Sequence, residues 1–277
     1  MKVRELPDVA ALWLAAEAYL SRDPANNTHQ LSAAKRIMDI GARHGERFFV
    51  VHADDTESEL VASAIYVDSK ALFLATMPPE AASALALHLR ANDVRLTGVI
   101  GRRGLLPSFT DAFAQRFSTH VDLMLYQLMK TPDYDRATGQ ARVATKDDLD
   151  LLVAWHRAFE IEVAMIAVPT PLEERVALRI NNQQLVLWID DDIAVSMAGA
   201  NPLPAASARI GPVYTPPELR GRGYAQAVTA AASEHVQRDE PRTVFLFTDA
   251  INPASNTAYQ RIGFVHLADH AHLLFDD

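Results

Sequence analysis

At residues 208–236 a β-rich stretch, a proline-fixed loop and a basic glycine turn run directly into a helical stretch, and nothing else in the chain constrains its fold as strongly. Val213, Tyr214 and Thr215 end the β-rich part, Pro216 and Pro217 stop it, and Arg220, Gly221, Arg222 and Gly223 make the turn. Tyr224, Ala225 and Gln226 open the helix. Glycines at alternate positions admit backbone conformations closed to other residues and let the chain approach a ligand without a Cβ in the way. Amide N–H groups at a helix start converge on one spot, the helix dipole favours negative charge there, and the two arginines add countercharge. The segment therefore reads as an anion-binding strand–loop–helix unit, which demands an α/β chain with a sheet strand ending at the site. It is neither a Rossmann G-x-G-x-x-G nor a Walker loop, because Gln226 stands where a third glycine would and no Gly-Lys-Ser/Thr is present. Taken alone, it is equally compatible with an ordinary loop carrying solvated arginines.

The rest of the chain supplies the matching elements. A polar segment with Pro132 and Gly139 at 131–139 reads as a linker between a first domain at 1–130 and a second at 140–277. In the second, a strand at 140–144 precedes a helix opened by a Thr145–Asp148 capping box and running to about 162. A helix follows at 171–180, then strands at 184–189, 193–198 and 208–215 as an antiparallel meander. A helix at 223–236, a strand at 243–247, a short helix at 253–262 and strands at 264–267 and 272–275 complete the order βααβββαβαββ. The first domain repeats this order more weakly, with helices at 7–20, 29–44 and 79–91 and strands at 47–53, 60–67, 71–76 and 95–100. Thr76, Met77, Pro78, Pro79 and Glu80 echo Tyr214, Thr215, Pro216, Pro217 and Glu218, and Ala112 to Arg116 echoes Thr257 to Arg261. An internal duplication follows. The first copy continues Ala81, Ala82, Ser83, Ala84 where the second has its basic glycine turn, so only one copy is equipped for a phosphate.

Some thirty residues after the turn comes a second motif, Asn252-Pro253 opening a helix that ends in Tyr259, Gly263 and Phe264. Together the two segments resemble the GCN5-related N-acetyltransferase superfamily, whose acyl-CoA signature Arg/Gln-x-x-Gly-x-Gly/Ala is met by Arg220, Gly223 and Ala225. Its Asn-led helix ending in Tyr-x-x-x-Gly-Phe is met by Asn252, Tyr259, Gly263 and Phe264. The resemblance covers residues 140–277 and, more faintly, 1–130. It implies a tandem α/β (α+β) acyl-CoA N-acyltransferase fold, with a mixed, mostly antiparallel sheet flanked by helices, splayed central strands, and a degenerate first copy that lacks the pyrophosphate loop.

The resemblance further implies acetyl-CoA as co-substrate and a small-molecule or peptide amine as acceptor. The backbone of Val213, Tyr214 and Thr215 would pair with the pantetheine arm, and the amides of Arg220, Gly221, Arg222, Gly223, Tyr224, Ala225 and Gln226 would hold the diphosphate. Pro212 fits a strand that leaves its neighbour, since proline cannot donate to a ladder. Asn252 would bond the pantetheine, although an N-cap before Pro253 at N1 explains it as well. Tyr259 matches the tyrosine that protonates the departing thiolate, a task suited to a neutral phenol. Gly263 and Phe264 read as a helix end and a core aromatic.

The base that deprotonates the amine is read less directly, from carboxylates near the expected acceptor entrance. Glu162 is the choice, with Glu160 and Asp249 as alternatives. His156 and Glu160 stand four residues apart as an ordinary helix-face pair, and His266, His270 and His272 read as polar surface. No metal site is expected.

Charge and composition exclude several classes. With 26 Lys plus Arg against 35 Asp plus Glu, the net charge of −9 repels nucleic acid and anionic lipid. The absence of cysteine removes disulfide frameworks, thiolate metal sites and a Cys nucleophile. No run approaches the ~20 apolar residues of a membrane span, and a cytoplasmic protein is expected. Two rival functions use the same residues: a non-catalytic acyl-CoA sensor, and a nucleotide-binding module built on the glycine turn.

Overall fold

The structure, a computed structural model, describes residues 1–42, 45–57, 59–67, 71–130, 137–165 and 170–276. Most of the 131–139 segment read as a linker lies outside them. The chain forms two compact units. One comprises Met1–Leu125, Asp249–Ile251 and Leu267–Asp277, and the other Tyr126–Thr248 and Asn252–His266. The first thus draws in the C-terminal segment, a division that differs from a single cut at the linker.

The first unit runs β1 (Lys2–Leu6), α1 (Val9–Leu20), α2 (Thr28–Ile40), β2 (Arg47–His52), β3 (Leu60–Val67), β4 (Ala71–Leu74), α3 (Pro79–Ala91), β5 (Gly98–Arg102), α4 (Leu106–Phe113) and most of β6 (Phe117–Leu128). Strands β1 to β4 pair antiparallel in sequence order, and β4 pairs β5 in parallel. The strand β1 was not read from the sequence, because Lys2-Val3-Arg4-Glu5-Leu6 at an exposed edge carries no apolar run. Its core joins Phe49, Leu72, Leu85 and Phe109 with Ala271, Leu273 and Phe275. Those last residues pair with β5, His270 opposite Arg102 and Leu274 opposite Gly98.

The second unit runs β7 (Gln140–Val143), a 3-10 turn (Lys146–Asp148), α5 (Leu149–Glu162), α6 (Leu172–Asn181), β8 (Leu185–Asp190), β9 (Ile193–Leu203), β10 (Ser207–Tyr214), a second 3-10 turn (Pro217–Leu219), α7 (Tyr224–Gln237), β11 (Thr243–Asp249), α8 (Pro253–Arg261) and the start of β12 (Phe264–Phe275). Its strand order is β11-β10-β9-β8-β7. The C-terminal strands read separately at 264–267 and 272–275 are one strand, β12. The Thr145–Asp148 capping box forms, and Arg142 clamps Asp148 with two hydrogen bonds of 2.7 Å. That guanidinium, helped by the Thr145 amide, holds the Asp148 carboxyl down to about 2.

Period-two alternation along the strands gives the second unit two cores. Leu185, Leu187, Met197 and Tyr214 face α5 and α6, meeting Leu152, Val176 and Ile180. The intervening Val186, Ala198, Ala200, Ala208 and Ile210 are buried on the opposite face, where α7 packs on β8, β9 and β10. Small residues on both sides, among them Ala227, Ala230 and Ala231, let that helix lie close to the sheet and fix where its first turn ends up.

Candidate active site

The strands β10 and β11 pair in parallel only from Ser207 opposite Thr243 to Ile210 opposite Leu246, although β10 continues to Tyr214 and β11 to Asp249. Beyond Ile210 the two strands part. The cause lies on the other side of β10, where the register with β9 shifts between Ile210 and Val213, placing Gly211 and Pro212 in a bulge. Pro212 has no N–H to offer a ladder, which suits this position. Asn201 Nδ2 bridges the bulge, donating to the carbonyls of Arg209 and Gly211 at 2.8 Å each. Gly199 completes it, since a Cβ there would lie 2.2 Å from the Gly211 oxygen. An isolated glycine inside a strand signals such close approach, and this one was readable from the sequence.

At the end of β10, buried Ser196 fastens the chain by donating to the Tyr214 carbonyl at 3.0 Å and meeting Thr215 Oγ1 at 2.8 Å. Arg220 turns back over this end. Its Nε donates to the Thr215 carbonyl at 2.9 Å, its guanidinium lies 5.9 Å from the Tyr214 ring centre, and its Nη2 meets Glu162 Oε2 at 2.6 Å. The side chains of Arg220 and Glu162 are thus committed to each other. Arg222 is exposed and forms no ion pair among the described residues.

Gly221 and Gly223 both have positive φ, 80° and 86°, in the left-handed region that favours glycine. Gly223 caps α7, and the first intrahelical bond runs from the Ala227 amide to the Gly223 carbonyl at 3.0 Å. The amides of Tyr224, Ala225 and Gln226 precede it and have no partner among the described residues. Tyr224 also anchors the helix start: its ring is buried and its hydroxyl donates to Asp190, which accepts from Thr138 Oγ1 at 2.9 Å as well.

Asn252 is an exposed N-cap whose Oδ1 accepts from the Ser255 amide at 3.1 Å, leaving its Nδ2 as a donor. Tyr259 lies on α8 with its ring 6.2 Å from that of Phe264, edge to face. Burial pushes its phenol up to about 12, and its hydroxyl forms no hydrogen bond among the described residues. Gly263, at φ 103°, ends the helix and accepts from the Met129 amide.

Glu160 pairs with Arg175 at 2.8 Å rather than with His156, whose Nδ1 donates to the Leu152 carbonyl. His270 and His272 are buried rather than surface polar groups, and only His266 is exposed. Among the described residues no group of His, Asp and Glu has the arrangement of a metal site, and no helix is long and apolar enough to cross a membrane. A shallow hollow lined by Val143, Thr145, Ile180 and Gln183 carries none of the motif residues.

A parallel strand pair that parts at a bulge, ahead of a glycine turn and a helix start with open amides, defines the class as the GCN5-related N-acetyltransferase fold. Comparison with known proteins agrees. Residues 194–273 match the family described as FR47-like protein. Mycothiol acetyltransferase of Paenarthrobacter aurescens (strain TC1) is 41% identical over 59 residues, which are 20% of this chain and 18% of that protein. The match therefore spans under a fifth of that relative's length. The structure of an acetyltransferase from the GNAT family of Colwellia psychrerythraea superposes with a TM-score of 0.62 at 14% identity, covering 99% of both chains. A tandem GNAT protein from the clavulanic acid biosynthesis pathway does so with a TM-score of 0.57 at 12% identity, covering 98% of this chain and 97% of that one. The chain therefore has the fold of the GCN5-related N-acetyltransferase structures, and its residues 194–273 match the FR47-like family.

Proposed function

We propose that the chain is an acetyl-CoA-dependent N-acetyltransferase that moves an acetyl group directly to the amine of a small molecule or peptide, acting in the cytoplasm. The observation that carries this reading is the parting of β10 from β11 beyond Ile210, directly ahead of the open amides at the start of α7. An extended ligand with amide groups finds unpaired strand edge in the gap, and a diphosphate finds converging N–H groups, a helix dipole and Arg222. The residues present fit acetyl-CoA on these grounds.

Bound acetyl-CoA supplies an activated thioester. The chain's own groups do the rest. Backbone N–H groups of Val213 to Thr215 orient the thioester carbonyl and stabilise negative charge on its oxygen as the amine nitrogen bonds to the carbonyl carbon. The carbon–sulfur bond breaks, and Tyr259 gives its proton to the departing sulfur. A phenol held near 12 stays protonated at neutral pH and regains its proton readily. The amine sheds a proton to water, and water returns one to the Tyr259 phenolate, so that the step closes with amide and free thiol. The Glu162 carboxylate is engaged by Arg220 Nη2 at 2.6 Å, so we assign Glu162 to holding Arg220 across the end of β10. Asn252 both caps α8 and offers Nδ2 to the pantetheine.

Calorimetry with acetyl-CoA, ATP and NAD, alongside free CoA release over a panel of amines, tests the proposal. Binding of acetyl-CoA that is lost in the Arg220→Glu, Arg222→Glu double variant, together with turnover of an amine, is the expected result. Preference for ATP or NAD would sink it.

A further inference from the structure

Beside the splay lies a second group of polar side chains that the acetyl-transfer reading leaves unused. Arg209 stands on β10 opposite Asn201, one residue before the last pair that joins β10 to β11. Arg179, from α6, reaches to 3.5 Å from the carbonyl of Gly211 and packs against Gly199. Both lie on the face covered by α5 and α6. Neither guanidinium forms a salt bridge with any described residue, and the sequence Ile-Ala-Val-Pro at 166–169 contains no acid. The two cations repel each other. Burial first, then Arg209 and Arg175, bring Arg179 down to about 10, with Glu160 opposing, and burial alone lowers Arg209.

The third member is His156 on α5, only 4% exposed. Its Nδ1 lies 2.8 Å from the Leu152 carbonyl, which can only accept, so Nδ1 carries the proton of the neutral ring. Nε2 is then a bare acceptor, buried and without a partner among the described residues. Burial and the charges of Arg179 and Arg175 keep this ring neutral. Half-buried Arg179 and Arg209 have no counter-ion among the described residues, and the neutral acceptor of His156 feels the charge of Arg179; the polar arrangement is unfinished, since charge withdrawn from water is ordinarily paired and buried polar atoms are ordinarily bonded. The missing complement is an anion that also carries an N–H.

We infer that the acceptor amine bears a carboxylate, which Arg179 and Arg209 bind beside the Gly211 carbonyl while His156 Nε2 accepts one of its N–H hydrogens. The inference deepens the acetyl-transfer reading and rests on it. Arginine suits the task because its planar fork matches a carboxylate with paired hydrogen bonds. The position also suits it, because Gly211 is where β10 leaves β11, so the bound amine would lie near the thioester in the gap.

The test uses the full chain with acetyl-CoA and matched acceptors, each α-, β- and γ-amino acid against its carboxamide, read by free CoA release. Acids should exceed their amides at least tenfold in kcat/KM. Arg179→Gln and Arg209→Gln should each raise KM for the acids tenfold or more, leave the amides unchanged, and keep acetyl-CoA affinity within twofold. Should Arg209→Gln fail to fold, Arg209→Lys retains the charge without the fork and should lose most of the acid preference. Amides that serve as well as acids, variants that affect both alike, or no acid acetylated by a chain that binds acetyl-CoA normally would overturn the inference while leaving cofactor binding intact. Failure to bind acetyl-CoA would sink the acetyl-transfer reading instead. Calorimetry with the acids and amides alone then decides: acid-selective heat lost in Arg209→Gln supports the carboxylate site, and its absence overturns it.

Discussion

Arg220 and Glu162 are joined at 2.6 Å, tying the last turn of α5 to the loop that follows β10. The same guanidinium holds the Thr215 carbonyl, so the pair sets how the end of β10 meets the glycine turn. Both side chains are about half exposed, which limits the pair to roughly 1 kcal/mol or less, about fivefold in an equilibrium. Glu162→Gln should therefore raise the Kd for acetyl-CoA up to about fivefold and leave kcat nearly unchanged. A carboxylate serving as base would behave differently: kcat would fall about a hundredfold or more and the acidic limb of its pH profile would vanish. Steady-state kinetics as a function of pH separate the two outcomes.

Tyr259→Phe removes the proposed acid while keeping the ring against Phe264. Turnover should fall about a hundredfold with acetyl-CoA affinity unchanged, in line with the usual worth of one general acid. Because burial raises this phenol to about 12, the unmodified protein should show no loss of kcat from tyrosine ionisation up to about pH 11. A non-catalytic acyl-CoA sensor would show the same binding in both proteins and turnover in neither.

The chemistry of the loop and of α8 was legible because it depends on residue types at fixed spacing: glycines where φ is positive, an Asn–Pro helix start, and a tyrosine one turn before Gly263. The supports were not. Ser196, Asn201 and Asp190 act through contacts with residues 8 to 52 positions away, and sequence periodicity carries no record of such pairs. Arg209 does carry a signal, a charged residue between Ala208 and Ile210 in an apolar strand. Glu162 was chosen by proximity along the chain, and only its spatial neighbour Arg220 reveals what holds it. Likewise β1 and the unbroken β12 depend on pairing with partners far away in sequence, β2 and β5, which override weak local pattern.

Gly223→Ala tests whether the turn needs its backbone conformation. At φ 86° an alanine costs about 1–2 kcal/mol, and the new Cβ would sit 3.6 Å from that of Ala137, an ordinary contact. Strain rather than crowding is therefore the expected penalty. The melting temperature should fall by a few degrees, about 2–4 °C per kcal/mol for a unit of this size. Acetyl-CoA affinity should fall by more than that stability loss explains, because the strain is relieved by moving the amides of Tyr224 to Gln226. Unchanged affinity would show that those amides do not hold the diphosphate.

His156 makes stability depend on pH in a defined direction. Burial, with Arg179 and Arg175 adding to it and the Leu152 carbonyl opposing, depresses the folded ring from 6.5 to about 4. The unfolded chain takes up a proton below about 6.5 that the folded chain refuses, so stability is fully present above that pH and is lost as pH falls toward 4. The loss is on the order of 3 kcal/mol. His270, depressed to about 4 by burial and Arg102, adds a second loss in the same window. Denaturant titrations between pH 7 and 4 should show His156→Gln losing stability less steeply than the unmodified chain. Equal slopes would mean the ring is protonated in the fold.

One acetyl-CoA should bind per chain. In the first unit the amides of Ala81 and Ala82 already donate to the Pro78 carbonyl at 3.0 and 3.2 Å, with no glycine turn before α3. Side chains also occupy strand backbone that would otherwise be open to a ligand. Gln30 Nε2 donates to the Ser63 and Phe73 carbonyls at 2.7 and 2.8 Å, Asn27 Oδ1 accepts from the Thr76 amide at 2.8 Å, and Tyr19 reaches the carbonyls of Val61 and Thr76. Admitting a pantetheine arm would require breaking these buried bonds, each worth about 0.5–1.5 kcal/mol net and more if a polar atom is left bare. Because β12 residues complete this unit's core, a fragment ending near residue 130 would misrepresent it, and the full chain is the right material. Calorimetry should give a stoichiometry of one, and the Arg220→Glu, Arg222→Glu variant should abolish all binding heat. A ratio of two, or a residual site in that variant, would mean that the first unit has kept a cofactor site of its own.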